Sequence, residues 1–95
     1  MKLVWTKAAL SDLDELAAYI AEDSEQNAEL VEARIQQSAR LLTLLPGAGR
    51  PGRVKGTREL VVLRTPYLLV YRLQSNNIRV LRVYHGARRW PSRFE

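Results

Sequence analysis

With 95 residues, 46% of them hydrophobic, the chain has room for one domain, residues 1–95, and none for a second. It has no cysteine and one histidine, which excludes a disulfide-stapled fold and leaves no recognisable metal-ligand set. The net charge of +5 is unevenly divided: residues 1–49 hold four Lys/Arg against eight Asp/Glu, and residues 50–95 hold eleven against two. A basic half of that kind points to a polyanionic or acidic partner.

No apolar run approaches the roughly 18 residues of a membrane span. Met1 to Thr6 lead straight into a helical pattern, so neither a membrane segment nor a signal peptide is expected. A domain this small buries only about 60–65% of its unfolded surface, and a tight partner would stabilise it by mass action.

An apolar run at Val4 and Trp5 predicts an opening strand over about residues 2–6. Thr6 is placed to cap a helix over Lys7–Glu22, in which Leu10, Leu13, Ala17 and Ile20 recur at helical spacing. Asp12, Asp14 and Glu15 sit near its start, where the helix dipole favours acids. Ser24 caps a second helix with Ala28, Val31, Ile35, Leu42 and Leu45 on one face, widened by Leu41 and Leu44 and stopped by Pro46-Gly47. Two amphipathic helices so closely joined read as an antiparallel hairpin.

Residues 46–57 read as a basic glycine/proline loop. Its glycines neither follow a strand nor open a helix, so no phosphate-binding glycine signature is present. Three strands are expected at about 58–64, 67–74 and 78–85, turning at Thr65-Pro66 and at Gln74-Ser75-Asn76-Asn77. The order predicts an α+β fold: an N-terminal strand and a two-helix hairpin packed on one face of a mainly antiparallel sheet of about four strands. The opposite face should be partly open, with some strand arginines pointing there.

The basic residues are mostly arginine, ten to one over lysine in residues 50–95. Guanidinium forks suit phosphate and stack on bases. Arg50, Arg53 and Lys55 come from the loop, and Arg58, Arg64, Arg72, Arg79 and Arg82 from the strands. Arg88, Arg89 and Arg93 come from the tail, interleaved with Trp90 and Phe94, which can stack an unpaired base or seal the sheet edge. Alternation places Arg79 and Arg82 on opposite faces. Arg58 has Glu59 or the helix acids as ionic partners. His85 ends the last strand, where it serves either as a structural hydrogen-bonder or as a general base beside arginines.

Gly49-Arg50-Pro51-Gly52, Gly56-Thr57-Arg58-Glu59-Leu60-Val61, Pro66-Tyr67-Leu68-Leu69-Val70-Tyr71-Arg72 and Ile78 through Arg88, taken in this order and spacing, resemble the RelE/ParE toxins. The likeness covers essentially the whole chain. It implies a cytoplasmic toxin of a type II toxin–antitoxin module that inhibits growth, needs no cofactor, and is neutralised by a cognate antitoxin. That antitoxin is expected to be acidic and partly disordered when free, and operator DNA is expected to be met only through it.

ParE-like members block DNA gyrase; RelE-like members cut messenger RNA in the ribosomal A site. Carried over by position, the RelE middle-strand arginine falls on Leu68 and the paired lysines fall around Leu60 and Val62. Arg88 matches the post-strand arginine, and Phe94 stands where the terminal tyrosine would be. The RelE set is therefore incomplete, and the ParE branch is favoured. Were the chain RelE-like, His85, Arg88, Arg58 and Arg64 would be the catalytic candidates. Under a binding role, Arg50, Arg53, Lys55, Arg82, Arg89, Trp90 and Arg93 would contact the target. A third expectation is an inactivated member that only binds antitoxin.

Overall fold

A computed structural model describes residues 1–87 of the chain. β1 (Lys2–Trp5) leads into α1 (Lys7–Ala21) and α2 (Glu25–Leu42). They are followed by β2 (Arg50–Pro51), β3 (Arg58–Val61), β4 (Tyr67–Gln74) and β5 (Asn77–His85). The strands form one sheet in the order β1-β5-β4-β3-β2, antiparallel except where β1 lies parallel to β5. The α+β architecture expected from the sequence is thus present. The sheet has five strands rather than four, because two residues of the glycine/proline segment pair with β3.

Both helix starts follow from a hydroxyl at the cap. Thr6 Oγ1 accepts from Ala9 N at 3.0 Å and Ser24 Oγ from Asn27 N at 3.1 Å, each satisfying an N–H that the helix leaves open. Thr6 does more than cap. Its backbone N donates to Val80 O at 3.1 Å, and its hydroxyl donates to Leu81 O at 2.9 Å, so the start of α1 is fastened to β5 where β1 ends. The Gln74–Asn77 hairpin turns through Ser75 and Asn76, both at positive φ, as a tight two-residue turn requires.

The hairpin of helices covers one sheet face. Ala9, Leu13 and Leu16 of α1 and Val31, Ile35, Ala39 and Leu42 of α2 pack on Leu69, Tyr71, Ile78, Val80 and Val83. Two sequence expectations change here. Leu10 is largely exposed, because α1 is rotated to bury Ala9 and Asp12 against β5. Leu44 and Leu45 are exposed too, since α2 ends at Leu42 and the chain leaves the helical register there, and Leu41, still in the helix, lies beside the buried stripe and is exposed as well. The far face is less open than expected: Leu68, Val70 and Tyr84, which alternate with the helix-facing residues, are also buried.

The segment before β3 is held in place. Tyr71 Oη donates to Pro46 O at 2.8 Å and accepts from Gly49 N at 2.9 Å. A Cβ at Gly49 would lie 2.7 Å from the Tyr71 ring, so glycine is required where the chain crosses the phenol. Replacing Thr6 by Val removes both the cap and the bond to Leu81. The expected loss is about 1–2 kcal/mol, read as a lower urea midpoint, with Thr6→Ser close to wild type.

Candidate functional site

The register of β2 to β5 sorts the arginines. Val70 pairs with Arg82 and Glu59, and Glu59 pairs with Arg50, so Arg82, Glu59 and Arg50 share one row on the face away from the helices. The neighbouring row holds Arg72 directly opposite Arg79. Arg79 and Arg82 therefore lie on the same face, not on opposite faces as alternation alone implies. The reason is an irregularity at Val70/Tyr71: Val70 faces Arg82 and Tyr71 faces Val80, leaving Leu81 as an extra residue that inverts the parity of β5.

Several of these arginines are already engaged. Asp12, buried on α1, accepts from Arg82 Nε at 2.7 Å, from Arg82 Nη2 at 2.8 Å and from Val83 N at 3.0 Å. Asp12 is thus a buried ion-pair partner rather than an acid serving the helix dipole. Its hydrogen bonds hold the Arg82 pKa above the ordinary arginine value against the opposing effect of partial burial. The guanidinium also lies 4.8 Å from the Tyr84 ring centroid.

Glu59, fully buried, accepts from Arg53 N at 2.7 Å and from Arg50 Nη2 at 3.3 Å, with Arg53 Nε 3.7 Å away. Arg58 pairs with neither Glu59 nor a helix acid. It turns to the helix side and donates to Gly49 O at 2.7 Å. Lys55 is exposed in the β2–β3 connection.

His85 is not surrounded by arginine among the described residues. It faces Tyr67 across the sheet with ring centroids 5.6 Å apart, edge to face, and accepts from Ala87 N through Nδ1 at 3.2 Å. With Asp12, Glu15, Leu16, Tyr19, Tyr67 and Val83 it lines a cavity of about 400 Å³ whose charged neighbours are acids. Burial, and then the nearby Tyr19, raise the Tyr67 pKa above 10.0, keeping its phenol neutral. Arg58 sits at the level of Tyr71 and His85 at that of Tyr67. Four residues of strand separate those levels, roughly 13 Å. Arg64 is in the β3–β4 turn at positive φ, with its carbonyl accepting from Arg34 Nη1.

The four residues named for a nuclease are therefore spread over different parts of the molecule, save Arg88, which lies outside the described residues with Arg89, Trp90, Arg93 and Phe94. Leu68, the position of the RelE arginine, is buried in an apolar row between Tyr84 and Val61. Val62 is fully buried and Leu60 packs on the core. No group of three or more potential metal ligands occurs among the described residues, and no described helix is long and apolar enough to cross a membrane.

One feature escaped the sequence reading. Leu41, Leu44 and Leu63, with Arg34, Arg40 and Arg64, line a cavity of about 590 Å³ between the end of α2 and the β3–β4 turn. Leu44 and Leu63 are more than three-quarters exposed. Periodicity assigns Leu41 and Leu44 to the core face, but Leu44 lies beyond the helix end and Leu41 beside the buried stripe.

Comparison with known proteins adds to this geometry. The family model described as ParE toxin of type II toxin-antitoxin system, parDE, matches residues 3–90. The inferred toxin Y4kP of Sinorhizobium fredii (strain NBRC 101917 / NGR234) is 43% identical over 90 residues, covering 95% of this chain and 93% of its own. Toxin RelE2 of Caulobacter vibrioides (strain ATCC 19089 / CIP 103742 / CB 15) is 33% identical over 87 residues, covering 92% and 97%. A solved structure from the chromosomal ParDE TA system of P. aeruginosa superimposes with a TM-score of 0.80 at 31% identity, covering 90% of this chain and 95% of that one. Fold and sequence together define a small toxin of a type II toxin–antitoxin system. The chain belongs to the ParE toxin family.

The Asp12–Arg82 contact is the polar anchor of this surface. Asp12→Ala leaves a partly buried guanidinium and the Val83 N–H without their acceptor, with an expected loss of about 2–4 kcal/mol in urea denaturation. The double variant Asp12→Ala/Arg82→Met should lose less than the two single losses added together.

Proposed function

We propose that the chain inhibits growth by binding its target rather than by cutting RNA, with DNA gyrase the target that the ParE resemblance implies. A cognate antitoxin keeps it silent in the cytoplasm. The observation that carries the choice of branch is where the cations go. Cleavage at a 2′-hydroxyl needs a proton acceptor and positive charge converging on one phosphate. Here Arg58 is bonded to Gly49 O, Arg82 to Asp12, and Arg50 and Arg53 to Glu59, while His85 has acids and tyrosines beside it. Leu68 supplies no charge at the middle strand. This arrangement supports a binding surface.

The leucine/arginine cavity supports the antitoxin half of the reading. An acidic amphipathic segment would place apolar side chains on Leu41, Leu44 and Leu63 and carboxylates against Arg34, Arg40 and Arg64. Such a segment gains affinity from the apolar contacts and orientation from the rim charges.

Inducible expression of the chain, alone and with its antitoxin, tests the proposal. Expected alone are growth arrest, loss of negative supercoiling or DNA-damage signalling, and intact transcripts; co-expression should restore growth. A-site cleavage of transcripts with unchanged supercoiling would establish the endoribonuclease reading instead, and harmlessness alone would mark an inactive, antitoxin-binding member. In the same system, Leu44→Glu/Leu63→Glu should retain toxicity but lower antitoxin affinity tenfold or more in a pull-down titration.

A further inference from the structure

Two adjacent rows at one end of the sheet carry a cluster of donors that the toxin reading does not use. In one row Val4, Arg79 and Arg72 lie side by side; in the next, Lys2, Asn77 and Gln74. Leu3 and Trp5 pack on the core, so Lys2 and Val4 present the far face of β1, the same face as Arg72 and Arg79. Three cations and two carboxamides therefore share one corner. The Arg72 and Arg79 side chains make no hydrogen bond or ion pair with any other described residue. Like charges placed directly opposite on neighbouring strands repel, and nothing in the described fold offsets that repulsion.

Three described acids beside the sheet lie elsewhere. Glu59 is buried beneath Arg50 and Arg53, and Asp12 and Glu15 lie with α1 towards Val83 and His85, at the other end of β5. We propose that this corner, formed by Lys2, Arg72, Gln74, Asn77 and Arg79, binds the phosphodiester backbone of duplex DNA, so that the toxin grips DNA without its antitoxin.

The spacing suits phosphates. Side chains opposite each other on adjacent strands start about 5 Å apart, so the Arg72 and Arg79 forks converge on a single phosphate group. Lys2 starts about 8 Å from Arg79, one strand over and two residues along, within reach of the next phosphate. Gln74 and Asn77 offer neutral donors of the kind that fix a backbone in register. Arginine rather than lysine at the paired positions allows bidentate contact with phosphate oxygens. Among the described residues, these two rows expose no aromatic side chain of the kind single strands stack on, and a duplex backbone fits them better. The surface is separate from the leucine/arginine cavity and does not depend on gyrase being the target.

The test uses the purified full chain and a fluorescent 20-base-pair duplex of arbitrary sequence, with anisotropy followed between about 50 and 200 mM salt. Wild type should bind with a log–log salt slope of about −2, one phosphate held by the arginine pair and one by Lys2. Arg72→Gln/Arg79→Gln should weaken binding at least tenfold at the lowest salt and reduce the slope by nearly one. Arg72→Lys/Arg79→Lys should keep the slope, and Arg50→Gln/Arg53→Gln should change little; circular dichroism checks the fold of each variant. The proposal is overturned by any of three results: no binding by wild type at 50 mM salt, equal weakening by the Arg50/Arg53 variant, or tighter binding of single-stranded RNA of equal length.

Discussion

A buried carboxylate at Asp12 decides how the two halves of the molecule meet. It accepts from Nε and Nη2 of Arg82 and from the Val83 N–H, at the edge of β5 that β1 leaves uncovered beyond Trp5. Without an acceptor that N–H would be a buried donor with no partner. Thr6, one and a half turns earlier, closes the same edge from the other side through Val80 O and Leu81 O. These contacts set the rotation of α1. The rotation in turn decides that Ala9, Leu13 and Leu16 pack inward while Leu10 does not.

The second organising group is the Tyr71 hydroxyl. It reaches from the middle of the sheet to Pro46 and Gly49, joining the end of α2 to the glycine/proline segment. Arg58 adds a bond to Gly49 O, and Glu59 takes the Arg53 N–H and the Arg50 guanidinium. The segment that the sequence reads as a basic glycine/proline loop is thereby tied down, with Arg50 and Pro51 paired to β3 and a buried acid under it. Among the described residues, Arg72 and Arg79, further along the same face, carry positive charge with no acidic partner. The basic half of the chain is neither evenly scattered nor uniformly available: part of it is structural cement and part is surface.

How much was legible in the sequence follows from how local each signal is. Thr6 and Ser24 are cap residues whose role depends on the next three positions, and both were read correctly. The strands around Val70 and Val80 carry β-branched and aromatic side chains in short runs, and their positions were close. The two-residue β2 was missed because it exists only through pairing with β3, with no hydrophobic pattern of its own. Leu10, Leu41, Leu44 and Leu45 fit the helical period but stay outside, since period alone does not say where a helix ends or which of two neighbouring stripes a buried acid selects. For the site, the sequence showed where the arginines concentrate. Which arginines were spoken for was not, because Asp12 and Arg82 are 70 residues apart.

The extra residue at Leu81 has a consequence for comparing members of this family. Every position after it on β5 shows solvent the side opposite to the one that counting from Asn77 would give. A relative lacking that residue would keep the same letters beyond it and yet turn them inside out. Columns in an alignment of this strand therefore correspond in space only among chains that share the kink. Arginines should be matched by which side of the sheet they emerge from before any shared role is assigned to them.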